Sequence, residues 1–179
     1  WFDYNKHNNN NNNNNNNLLR GSFGAPKVQH LLQCCPSINL PALQAFDELL
    51  KSGVQQIANS DLTATQWIQA SLPIKDGGLG IRRVSSLALS AFLASAASTL
   101  TLQNRILADC SVSEDARLME YLGAWSNKFG SPLPIKQSSW DRPSVMVDRA
   151  VVESSLRTVT QKATFLAASA AHSEDWMFC

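Results

Sequence analysis

Between Leu72 and Ile81 the sequence Leu-Pro-Ile-Lys-Asp-Gly-Gly-Leu-Gly-Ile interrupts a chain whose apolar residues otherwise recur at helical spacing. Pro73 has no N–H to give to a helix, and Gly77, Gly78 and Gly80 cost too much backbone entropy to sustain one. The segment is therefore expected to be an extended stretch with a tight turn, or a small hairpin, its glycines free to take positive φ. Whatever lies on either side must pack around this break.

Both flanks read as helices. Pro26 suits a first helical turn, Val28, Leu31 and Leu32 follow at helical intervals, and Pro36 ends the run. Leu43, Phe46, Leu50, Val54 and Ile57 give a helix from Pro41 to Asn59 one apolar face, with Gly53 inside it. Thr63-Ala-Thr-Gln66 has the spacing of a capping box and opens a short helix through Trp67 and Ile68 to about Ser71. After the break, a helix from about Ser85 to Leu102 carries apolar residues on nearly every side, which predicts a central, buried element. Ser111-Val-Ser-Glu114 is a second candidate capping box, opening a helix through Leu118, Tyr121 and Leu122. Gly130 to Asp141 reads as a linker, and Ser144 to Ala171 as helix, divided near Thr158 to Thr160. The expected fold is an all-α bundle with one short Gly-rich turn or hairpin. Residues 1–17, dominated by the run Asn8 to Asn17, are expected to be disordered, because they have no apolar surface to offset the entropy of ordering.

Charged residues are only 16% of the 179, against about 25% in ordinary domains. A surface so bare fits a chain that buries part of itself against a neighbour. The net charge of +1 writes no long-range attraction to nucleic acid into the whole chain. Cys34, Cys35, Cys110 and Cys179 match neither a zinc-finger spacing nor a disulfide framework, so reduced, mostly buried thiols in an intracellular protein are expected. Trp1 is not expected as an ordinary natural start, and nothing near it has the form of a signal peptide. The apolar stretch Leu87 to Leu102 is shorter than the roughly 20 residues of a membrane span, so no membrane association is expected.

Catalytic chemistry has little to stand on. The adjacent acids Asp47-Glu48, Glu114-Asp115 and Glu174-Asp175 are read as solvated surface, so no metal site is expected. His7, His30 and His172 stand apart, though His30 and Cys34 are spaced to meet on a helix. The glycines at 77, 78 and 80 lack the spacing of a phosphate-binding loop, which leaves Pro73, Gly77, Gly78 and Gly80 as a structural turn. Lys75, Arg82 and Arg83 flank that turn and form the best candidate for contact with nucleic-acid phosphates. No catalytic residue and no cofactor is expected.

The stretch Gln69-Ala-Ser-Leu-Pro-Ile-Lys-Asp-Gly-Gly-Leu-Gly-Ile-Arg82, followed by Leu87-Ala88 and Ala91-Phe-Leu-Ala-Ser95, resembles the region downstream of the catalytic core in reverse transcriptases of animal non-LTR retrotransposons. Lys27 with His30-Leu-Leu32 resembles the start of the thumb, and Phe46-Asp47 through Gln66-Trp67 its helices. Ser139-Trp-Asp-Arg-Pro143 and His172-Ser-Glu-Asp-Trp176 resemble stations of the tail beyond it. The resemblance implies a thumb-like helical domain over 18–105 and a truncated helical connecting tail over 106–179. It implies partners too: the palm and fingers of a polymerase core, and an RNA–DNA duplex in the intact parent, acting in the nucleus. The catalytic aspartates would precede Trp1 and a Cys/His-rich segment would follow Cys179, so polymerase activity is not expected of this chain. The asparagine run is foreign to the family pattern and implies a decayed copy or a misjoined reading frame.

Overall fold

The computed structural model describes residues 15, 17–106, 115–130, 134 and 137–170. The described chain is all-α, with no strand among the described residues. A π-helical turn, Leu19–Phe23, leads into α1 (Ala25–Cys34), α2 (Pro41–Ala58) and α3 (Ala64–Ser71). A 3₁₀ turn, Ile74–Asp76, then precedes α4 (Val84–Ile106), α5 (Ala116–Phe129), α6 (Gln137–Ser155) and α7 (Val159–Ala170). The run of asparagines lies outside the described residues apart from Asn15 and Asn17, which are helical; the Asn17 carboxamide oxygen accepts from Arg20 at 3.0 Å.

Local chemistry sets most helix ends. Pro26 lies in the first turn of α1 and Pro41 opens α2, where a missing N–H costs nothing. Asn59 closes α2 in the left-handed region at φ 48°, and the amides of Asn59 and Ser60 return to the last turn. The Thr63–Gln66 box forms in both directions. A second box of the same type opens α7: the Thr158 hydroxyl accepts from the Gln161 amide at 3.1 Å, while the Gln161 side chain accepts from the Thr158 amide at 3.1 Å. At α5 the cap is Asp115, which accepts from the amides of Arg117 and Leu118; Ser111 and Glu114 lie outside the described residues.

The start of α4 is capped from another helix. Asp47 of α2 is buried and its carboxylate accepts from the Val84 amide at 2.7 Å, the Ser85 amide at 3.1 Å and the Ser85 hydroxyl. This corrects the expectation of a solvated Asp47. Its charge meets free N–H groups at the positive end of a helix, an arrangement that burial strengthens.

Along α4 the apolar side chains join two clusters. Val84, Ala88 and Ala91 pack on Ala25 and Leu32 of α1, and Leu93 and Ala94 pack on Trp125 of α5 and Trp140 of α6. Only the first half of α4 is central, however. From Leu100 to Ile106 it is exposed, including Leu102 and Ile106. The alanines that permit close approach stop mattering where neighbours stop. α4 is the one helix among the described residues long and apolar enough, by length and composition alone, to cross a membrane.

Two further expectations need correction. The proposed linker 130–141 is shorter, because α6 already starts at Gln137 and buries Trp140. Tertiary burial of that indole overrides the turn-like local sequence, and Pro143 is accommodated inside the helix. Cys34 and Cys35, expected to be buried, are exposed free thiols at the end of α1; Cys110 and Cys179 lie outside the described residues.

Candidate functional site

The break at 72–83 folds back over the end of α3 instead of forming a hairpin. The Leu79 and Ile81 amides both donate to the Ala70 carbonyl, and the Gly80 amide donates to that of Leu72 at 2.8 Å. Leu72 and Ile81 are fully buried, so the two ends of the segment anchor it in the core. Between them the chain makes one 3₁₀ turn and leaves it through Gly77 at φ 85°, with Gly80 also left-handed at φ 74°. Gly78 is needed for space instead. A Cβ there would fall 2.2 Å from the Leu72 carbonyl oxygen and 2.5 Å from that of Gln69.

The polar side chains of this turn meet α6. Asp76 is buried and accepts from Arg142 at 2.9 and 3.0 Å and from Arg149 at 3.4 Å. Arg82 donates to Asp141 and Arg83 to Asp148, each at 2.6 Å. The partners on α6 are two Asp-Arg dipeptides, Asp141-Arg142 and Asp148-Arg149, seven residues apart and so on one helical face. One acid and two arginines of the turn thus meet two acids and two arginines of the helix with opposite signs matched, an ionic clasp between turn and α6. An apolar cluster joins the segment to α6 and also to α7, Leu72 packing with Val145, Val152 and Phe165.

Burial pushes the Asp141 carboxyl above its ordinary range; the charge and hydrogen bond of Arg82 pull it back and the charge of Asp148 adds to the rise. One of its oxygens, Oδ1, is buried without a partner, which agrees with that direction. Arg149 is held more firmly protonated, first by its hydrogen bond to Glu153 and then by the charges of Glu153 and Asp76. Beside the Arg82–Asp141 pair lies an open cleft of about 510 Å³, lined also by Arg20, Pro26, Gly80 and Leu87.

The candidate phosphate contacts are divided by this arrangement. Lys75 is exposed. Arg82 and Arg83, in contrast, are mostly covered and each is committed to a carboxylate. Reaching a phosphate would require breaking those pairs. Pro73, Gly77, Gly78 and Gly80 lie in and around the 3₁₀ turn and the folded-back segment that follows it. His30 and Cys34 are brought together on α1, whereas His7, His172 and Glu174-Asp175 lie outside the described residues. Among the described residues no three or more His, Cys, Asp or Glu side chains gather where they would hold a metal ion. The α6 half of the clasp escaped the sequence reading, although the repeated Asp-Arg at an interval of seven was a visible signal for it.

Comparisons with protein-family models, with curated proteins and with solved structures return no match to this chain.

Proposed function

We propose that the chain is a non-catalytic, C-terminal helical part of a retrotransposon reverse transcriptase, an RNA-directed DNA polymerase, and that in an intact parent it helps hold the primer–template duplex. The observation that carries the reading is the meeting of separate stations of the resemblance. Asp76 and Arg82, from the Gly-rich stretch, pair with Arg142 and Asp141 of Ser139-Trp-Asp-Arg-Pro143. Asp47, from another station, caps the helix that follows the Gly-rich stretch. Residues of one family pattern are expected to act together, and the scaffold that these build supports the reading. No residue receives a catalytic role.

A second reading is a helical protein-interaction module with no role in nucleic-acid binding. It is favoured by the pairing of Arg82 and Arg83 and by apolar side chains left exposed, Met146, Val147 and Val151 on α6 and Leu166 on α7. Salt separates the two. Binding of RNA–DNA hybrid by the chain joined to its upstream reading frame should weaken steeply as salt rises, because phosphate contacts release counterions. Association with a protein partner that is insensitive to salt, without hybrid binding, would favour the second reading.

A further inference from the structure

The exposed face of α1 carries a His–Cys pair that the clasp does not use. His30 and Cys34 lie four residues apart, so the helix sets them on one side, and the Cys34 sulfur is 3.7 Å from both Nδ1 and Nε2 of His30. Equal distances put the sulfur midway between the two nitrogens, where neither nitrogen lone pair faces it, and a turn of the exposed ring aims either nitrogen at a shared ligand. A tetrahedral zinc ion with a thiolate at about 2.3 Å and an imidazole nitrogen at about 2.0–2.1 Å separates those donor atoms by about 3.6 Å. α1 already supplies that separation. The backbone between the two residues is regular helix, so chelation requires no backbone rearrangement.

We propose that His30 and Cys34 form a two-point site for a borderline or soft divalent cation of the Zn²⁺ type. Among the described residues no third protein ligand joins them, so water or a group from another molecule takes the remaining positions. Such a site is open and binds more weakly than a four-ligand structural zinc site. Cys35 is a neighbour rather than a member: it leaves the helix at φ −120°, ψ 130°. On binding, Cys34 releases its thiol proton to solvent as the metal–sulfur bond forms, and neutral His30 gives a nitrogen lone pair, with no change in oxidation state.

Cobalt(II) is the probe, because a thiolate ligand gives it a near-ultraviolet charge-transfer band. The titration uses the full chain carrying Cys110→Ser and Cys179→Ser, under anaerobic conditions with a phosphine reductant. The band is expected to saturate at one cobalt per chain, to be displaced by Zn²⁺ and to be unchanged by Cys35→Ser. Cys34→Ser should abolish it, and His30→Ala should weaken binding about tenfold or more, as a chelate becomes a single contact. His30 and Cys34 are exposed, so these variants should keep the far-ultraviolet dichroism of the parent. Absence of the band overturns the proposal, as does a band that survives Cys34→Ser, is indifferent to His30→Ala or disappears with Cys35→Ser.

Discussion

Gly78 shows how one residue decides the turn. Its φ is not in the left-handed region, so its importance comes from two backbone oxygens that leave no room for a Cβ. Gly78→Ala is expected to destabilise the fold by about 3 kcal/mol, in the range of severe backbone conflicts. At Gly77 a Cβ would meet the edge of the Phe165 ring at 2.9 Å, which can shift, although the positive φ adds strain. Chemical denaturation of the two variants should therefore rank Gly78→Ala as the more damaging; equal effects would contradict the close-approach argument. Asp76 gives a second ordering. Its carboxylate is almost wholly covered, whereas Arg142 is about half exposed. Arg142→Ala combined with Arg149→Ala strands a buried charge, at about 3–5 kcal/mol. Asp76→Asn should cost less, because Arg142 can turn to water, and the same denaturation experiment checks the order.

At the scale of elements, the helices were largely legible because their signals are local. The Thr63–Gln66 box, Pro41 and the spacing of Leu50 and Val54 each act within a turn or two of chain. The matching box at Thr158–Gln161 was equally local, yet only a break near Thr158 was recognised from the sequence. What remained illegible was tertiary: Asp47 reads as surface until Val84 arrives beside it, and Trp140 reads as loop until Trp125 and Leu93 enclose it. The break itself is legible in Pro73 and the glycines, but no hairpin forms there because its amides pair with the end of α3. The α6 clasp makes a prediction about pH. The folded-state pKa of Asp141 is raised above its ordinary 3.8. Its contribution to stability is therefore fully present below the unfolded pKa and is lost as pH rises through the folded value. The stability of the parent relative to Asp141→Asn, which stays neutral, should decline as pH rises from below about 4 towards neutrality. Urea melts of both proteins across that range check the sign, and a relative gain with rising pH would contradict it.

For the whole molecule, the packing on α4 and the clasp on α6 tie residues before 106 to those after 115. The exposed Leu100, Leu102 and Ile106 of α4, with Met146 and Val147 of α6, leave apolar surface uncovered among the described residues. Surface of this kind favours association. Sedimentation of the purified chain should show concentration-dependent self-association, and a monomer with a sharp cooperative melt at all concentrations would argue against a missing neighbour. The proposed origin makes a stricter demand, that the neighbour be a polymerase core encoded beside this chain. Sequencing the full transcript across both ends of the reading frame tests this most directly. The account predicts a polymerase segment upstream with paired metal-binding aspartates, in frame or displaced by the decay that the asparagine run implies. An upstream frame with unrelated sequence and no trace of such a segment would contradict it.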